Sequence, residues 1–312
     1  MEKDPILHTY DAMTENGLAE VRSYSTPPVR FRASEAADCV RKIYYRLAGQ
    51  RPAPRDSVAK VYGVSGDADH DITRQLMAHY GVVITGITQE VDGQITETVY
   101  PRVQFPVEHA GKTIMVDIIA RADGEIMTPR GKTLLEIKGT GFYRYDWLRK
   151  TYEKDGLAAA NQRVKDKHAS WYAQMQVTMA LTGHTQTYLI VKDRASGTLG
   201  LYATDSNGKP IPGSRTGQYI DFDPEFFQNT LQRFAYVMRK LEDGEPPKPE
   251  FTAGSMECNY CPFLYMCHAA EQRRAAKQEP AVVYPGPQID IQAPERMQAD
   301  GTYYEEDMLR GE

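Results

Sequence analysis

The chain has 312 residues, 41% of them hydrophobic and 25% charged, with a formal net charge of −5. That is the make-up of a globular protein, not a disordered or fibrous one, and it lacks the overall basic field of a general nucleic-acid binder, although a local basic groove is compatible with it. The opening residues MEKDPILHTYDAM hold no apolar run of signal-peptide length, and no stretch approaches the roughly 18 apolar residues of a membrane span, so a cytoplasmic protein without membrane contact is expected.

In chain order, residues 1–30 are polar and aperiodic and read as an arm. RASEAADCVRKIYYRLAG predicts a helix, with Ser34 as N-cap and Gly49 as its stop. GVSGDADHDITRQLMAHYG predicts a second helix from about Asp67–Asp69 to Gly81. Strands are expected at Thr96–Tyr100, Val103–Val107, Thr113–Ala120 and Thr133–Lys138, with turn signals HAGK, ADGE and PRGK between them. HASWYAQMQVTMALTG predicts a helix closed by Gly183. TQTYLIVKD and TLGLYATD read as a hairpin pair, and DPEFFQNTLQRFAYVMRKLEDG as a strongly amphipathic helix. A cysteine-rich segment follows, and residues 276–312 form an acidic, Pro- and Gln-rich tail expected to be mobile. The fold class expected is α/β, a central mixed sheet flanked by helices.

Two carboxylates break apolar strands. Asp117 lies in TIMVDIIARADG and Glu136 in KTLLEIKGTGFY. An unpaired carboxylate in such a setting is costly to bury, so each needs a partner or a metal. A turn over Asp123–Lys132 would make the two strands antiparallel neighbours and bring both carboxylates to one sheet end. Side chains alternate along a strand, so Lys138 shares a face with Glu136. Two carboxylates suit Mg²⁺ or Mn²⁺, and an adjacent ammonium can hold a water or offset the charge of a phosphate. Glu-x-Lys alone is a common tripeptide and equally describes an exposed ion pair.

Asp117 followed by Glu136-Ile137-Lys138 resembles the PD-(D/E)XK nuclease superfamily and, within it, the RecB-like nucleases, which have a restriction-endonuclease-like core. Val116 stands where the superfamily name has Pro. The family's Gly-x-x-x-His pattern on the preceding helix is matched by Gly66-Asp67-Ala68-Asp69-His70. The resemblance implies metal ligation by His70, Asp117, Glu136 and the Ile137 carbonyl, with Lys138 catalytic. It also implies an active-site role for Gln174, on the next helix. The family's Tyr four residues on is not matched, since position 178 is Thr.

The four cysteines are Cys39 and the C-x₂-C-x₅-C triplet Cys258, Cys261 and Cys267. A three-plus-one arrangement suits an iron–sulfur cluster, with zinc or free thiols as alternatives. Cys39-Val40-Arg41-Lys42-Ile43-Tyr44-Tyr45 resembles the C-x-R-K-x-x-Y of CRISPR-associated RecB-like, AddB-type and phage exonucleases, which carry a structural 4Fe-4S cluster. The resemblance spans about Ser34 to His268, within a nuclease domain placed over 31–275 whose iron–sulfur subdomain joins 31–50 to 251–270.

Past Lys138, basic residues alternate with aromatics. Tyr143, Arg144, Arg149 and Lys150, together with Arg41 and Lys42, are candidate DNA contacts, and a solvated helix face is the bland reading of the same run. The expectation is a metal-dependent DNA nuclease, most simply an exonuclease acting in recombination, repair or phage DNA processing on DNA that is single-stranded or has single-stranded ends. The alternative is a non-catalytic iron–sulfur DNA-binding or scaffold protein. A helicase, strand-annealing protein or CRISPR integrase as partner, and a homo-oligomer, accord with the resemblance.

Overall fold

The computed structural model describes residues 30–53, 57–79, 81–91, 94–98, 101–252 and 254–268. The expected tail, and the arm apart from Arg30, lie outside the described residues. The elements are β1 (Phe31–Arg32), α1 (Val40–Leu47), α2 (Ser57–His79), β2 (Ile84–Thr85), β3 (Ile87–Val91), β4 (Gln94–Thr98), β5 (Arg102–His109), β6 (Lys112–Ile119), β7 (Gly124–Thr128), β8 (Gly131–Thr140), α3 (Phe142–Lys167), α4 (Ala169–Thr182), β9 (Gln186–Asp193), β10 (Gln218–Asp221), α5 (Pro224–Asp243) and the single turn α6 (Met256–Asn259).

The architecture is mixed α/β with mixed sheets flanked by helices, as expected. It is divided into a five-stranded sheet of order β10-β9-β8-β7-β2, a three-stranded sheet β1-β6-β5 and a ribbon β3-β4. β8 and β9 run parallel, and the crossover that parallel pairing requires is supplied by α3 and α4. No helix among the described residues is long and apolar enough to cross a membrane.

α4 explains how the two larger sheets become one body. Ala173, Val177 and Leu181 face a core built with Phe31, Ile43, Val116, Ile118 and Phe234. Tyr172, Met175 and Met179 face a second core with Leu134, Leu148, Leu189 and Val191. A helix apolar nearly all round must be covered on both sides, and this one is. Its one fully buried amide, Gln176, is satisfied: it donates to the Asp221 carbonyl (3.0 Å) and accepts from the Asp223 amide (2.7 Å).

Several sequence expectations shift. The first predicted helix starts at Val40 rather than near Ser34, because a 3₁₀ turn (Ala33–Glu35) intervenes. α2 begins ten residues before the expected Asp67. TLGLYATD forms only isolated bridges (Lys192–Leu199, Leu201–Thr216 and Thr204–Pro210), and the antiparallel partner strand of β9 is β10 instead. The expected β6–β8 pairing does not occur. The segment between them contains β7, which pairs with β8, while β6 pairs with β5 and β1. α5 forms as predicted: Asp223 caps the Phe226 amide at 3.0 Å and Gly244 ends the helix.

Candidate active site

β8 splits its side chains by face. Leu135 and Ile137 pack into a small apolar cluster with Met77 and Ile84, while Leu134 packs under α3 and α4. By alternation Glu136 and Lys138 share the Leu134 face. The Lys138 ammonium lies 2.6 Å from Oε1 of Glu136 and donates to Oε1 of Gln174 on α4 at 2.9 Å. The contact with Glu136 is an ion pair, and among the described residues its buried Oε1 has no other donor. Burial pushes the Glu136 carboxyl up; the Lys138 charge opposes this and the nearby Asp123 charge adds to it. Lys138, Glu136 and Gln174 therefore meet as the sequence suggested, and Thr178, where a Tyr was sought, donates to the Gln174 carbonyl at 2.8 Å.

The second carboxylate is not Asp117. Asp117 sits on β6, where Arg102 grips both its oxygens (Nε to Oδ1 2.9 Å, Nη2 to Oδ2 2.6 Å) and Arg30 lies 3.6 Å away. Burial pushes its pKa up, but hydrogen bonding and charge from Arg102, helped by Arg30, outweigh that and hold it below the ordinary value. The predicted convergence with Glu136 fails because β6 belongs to the other sheet.

Asp123 takes that place. Its Oδ2 accepts from the backbone amide of Ile137 at 2.8 Å, and its Oδ1 lies 2.8 Å from Nδ1 of His70 on α2. Burial raises its pKa, but the His70 hydrogen bond and charge, the Ile137 amide and the Lys138 charge together hold the carboxyl low. Gly124 makes this possible. Its φ of 141° is a glycine conformation, and a Cβ there would lie 2.6 Å from Ile84 Cγ2. Asp123 was missed because RADGE reads as a turn signal.

His70, Asp123, Glu136 and the Ile137 carbonyl are donors of the hard type that suits Mg²⁺ or Mn²⁺ chemically. Among the described residues, no three His, Cys, Asp or Glu side chains are already converged on one ion.

All four cysteines border one cavity of about 470 Å³. The N- and C-terminal segments around it are tied together: Ala53 N donates to Pro262 O at 2.8 Å, Val40 N to Glu250 at 2.9 Å, and Arg41 Nη1 to Cys267 Sγ at 3.2 Å. Burial pushes the Cys39 and Cys261 thiols up. Lys42 opposes this at Cys261, and Cys258 and Cys267 act on it electrostatically. The four thiols are donors of the kind that zinc or an iron–sulfur cluster takes, and among the described residues they are not gathered as a metal site.

The candidate DNA contacts divide. Arg41 is buried, its Nε donating to the Pro247 carbonyl, and does not face solvent. Arg149 is held by Asp146 and Glu153 (3.0 and 2.9 Å). Lys42 pairs with Asp38 at 2.8 Å and Lys150 with Asp146 at 2.9 Å. Tyr143 is exposed beside Phe142 at the start of α3, and Arg144 borders the cavity.

No protein-family model matches the chain, and no curated protein does. Among solved structures, the protein SSO0001 is 16% identical with a TM-score of 0.43, covering 86% of this chain and 99% of its own. An alkaline exonuclease from Laribacter hongkongensis is 16% identical with a TM-score of 0.39, covering 80% and 95%. A phage-related exonuclease from Haemophilus somnus 129PT is 14% identical with a TM-score of 0.32, covering 69% and 96%. Likeness of this degree says nothing of what the chain does.

Proposed function

We propose that the chain is a divalent-metal-dependent DNA nuclease that hydrolyses phosphodiester bonds. The observation that carries this reading is Lys138: its ammonium lies against buried Glu136 and Gln174, on the strand whose Ile137 amide binds Asp123. His70, Asp123, Glu136 and the Ile137 carbonyl would hold the cation. When bound, it supplies Lewis-acid stabilisation of charge on the attacked phosphate. Gln174 and Glu136 fix the Lys138 ammonium, which has a third N–H with which to hold a water or a phosphate oxygen.

Action from strand ends, in recombination, repair or phage DNA processing, follows from the resemblance to RecB-like nucleases rather than from any distance. A 4Fe-4S cluster on Cys39, Cys258, Cys261 and Cys267, joining the segments that carry them, is part of the same proposal.

The test is cleavage of end-labelled single- and double-stranded DNA with Mg²⁺ or Mn²⁺, and with chelator. Wild type should cut only with metal, and Lys138→Ala should be inert yet folded. Wild type inert with every metal, or an active Lys138→Ala, ends the proposal. For the cluster, iron and labile sulfide should copurify with wild type and be lost in Cys39→Ser; unchanged iron in that variant would rule out the four-cysteine assignment.

A further inference from the structure

β8 and β9 end side by side, with Thr140 paired to Asp193. Ligands of parallel sheets bind outside such carboxyl ends. The first residue past β9 is Arg194, whose amide donates to the Thr140 carbonyl at 2.9 Å. Its side chain leans back across Gly139, the residue after Lys138. A Cβ on Gly139 would lie 2.7 Å from Arg194 Nε and 3.4 Å from its Cγ. Gly139 does not have a positive φ, so its backbone does not require glycine; the room for Arg194 does. Side chains alternate, so Lys138 leaves the strand on one face and Arg194 crowds the other.

The Arg194 guanidinium is anchored at one end only. Its Nε lies 3.0 Å from Asp69 Oδ2, while Lys192 holds Oδ1 at 2.7 Å. Lys192 is buried and already ties Asp69 to β9, whereas Arg194 is exposed. The neighbouring Asp193 carboxylate is spent on its own turn, accepting from the Ala195 and Ser196 amides and the Ser196 hydroxyl. Among the described residues, Nη1 and Nη2 of Arg194 have no acceptor. They form a planar fork of the kind that takes two oxygens of one phosphate. Asp69 precedes His70 and Gly139 follows Lys138, so the fork touches both segments that carry the proposed site.

We propose that Arg194 is a phosphate-binding residue of the Lys138 site. Its Nη pair takes the non-bridging oxygens of the phosphodiester next to the one attacked. Lys138 and Arg194 stand on opposite faces of β8, which suits two successive phosphates better than one. Gripping the neighbouring phosphate fixes where the scissile bond lies, and such positioning is a large part of what a site supplies. The inference rests on the nuclease reading and adds a substrate contact to it.

Binding of a labelled DNA strand is measured by anisotropy in chelator, over a range of salt, on full-length Lys138→Ala protein with and without Arg194→Gln. Arg194→Gln should weaken binding by roughly tenfold, the size of a charged hydrogen-bonded contact. It should also lower the salt slope by about one, the mark of one lost phosphate contact. Arg194→Lys should keep the slope, because the charge stays, and recover only part of the affinity, because the fork is gone. Cleavage with Mn²⁺ by proteins with Lys138 intact then locates the contact. The strand carries an uncharged methylphosphonate in place of one phosphate at a time. At one position beside the cut bond, wild type should lose roughly tenfold in kcat/KM, and Arg194→Gln should lose nothing further. An Arg194 that only braces Asp69 would leave the salt slope unaltered and the two losses additive at every position; either result overturns the assignment. Wild type that never cleaves, beside a salt slope lowered by Arg194→Gln, sinks the nuclease reading and leaves the phosphate contact standing. Cleavage by wild type with an unaltered slope sinks this inference alone.

Discussion

Nδ1 of His70 lies 2.8 Å from Oδ1 of Asp123, and the other oxygen of that carboxylate accepts the Ile137 amide. One side chain thus ties helix α2 to the strand that carries Glu136 and Lys138. Removing it deprives the site of a donor and frees the imidazole. Asp123→Asn should therefore lower cleavage by at least roughly a hundredfold, in the range of a lost catalytic group. Asp117→Asn should cleave normally and melt a few degrees lower, because it weakens only the contacts to Arg102 and Arg30. Cleavage rates and melting curves of the two variants decide between the carboxylates. A dead Asp117→Asn beside an active Asp123→Asn would reverse the assignment.

Gln174 touches no proposed metal ligand; it holds the Lys138 ammonium at 2.9 Å. Its loss should leave metal binding intact and let the lysine wander. Gln174→Ala should lower kcat by roughly 10–100-fold, the usual effect of losing a supporting contact, with Mn²⁺ affinity unchanged by electron paramagnetic titration. Gln174→Glu, which keeps an acceptor, should recover part of the rate. A parallel fall in Mn²⁺ affinity would instead make Gln174 part of the ion site.

Glu136 and Lys138 were legible because strand alternation is a local rule, and the apolar run around them fixed their register. Gln174 and His70 were legible only through a resemblance, since nothing local marks either. Asp123 was illegible for a physical reason. Asp-Gly is the commonest turn signal, β7 after it is only five residues long, and whether β6 or β7 pairs with β8 is a long-range choice. Asp117 looked right because it is a carboxylate among apolar residues. The partner that resolves it, Arg102, comes from a neighbouring strand and could not be chosen from the sequence. Likewise Arg41 looked like a phosphate contact until the fold buried it against Pro247 and Cys267.

Gly139 follows Lys138, and a Cβ there would come within 2.7 Å of Arg194 Nε and 3.2 Å of Asp69 Oδ2. Asp69, next to His70, pairs with Lys192 at 2.7 Å and Arg194 at 3.0 Å. These contacts hold α2 against the end of β9 and so set where His70 sits. Gly139→Ala should push Arg194 off Asp69 and lower kcat severalfold, with a small loss of stability because a flexible side chain can yield. Asp69→Asn should act in the same direction. The check is kcat and Mn²⁺ affinity beside melting temperature; a stability loss with unaltered kcat and affinity would make the contact purely structural.

His168 is buried at the α3–α4 junction, and burial, aided by the Arg144 and Arg163 charges, pushes its pKa down to about 3 from an ordinary 6.5. Above pH 6.5 both folded and unfolded chains hold it neutral, and its contribution is fully present. As the pH falls below 6.5, the unfolded chain takes up a proton that the folded chain refuses. Stability is then lost by about 1.4 kcal/mol per pH unit until the folded value is reached. Melting temperature measured from pH 7 down to pH 5, where most carboxylates are still ionised, should fall for wild type. It should fall less for His168→Phe, which keeps a ring against Trp171 but cannot titrate. Parallel slopes for the two proteins would mean that the imidazole is reached by water and titrates near its ordinary value.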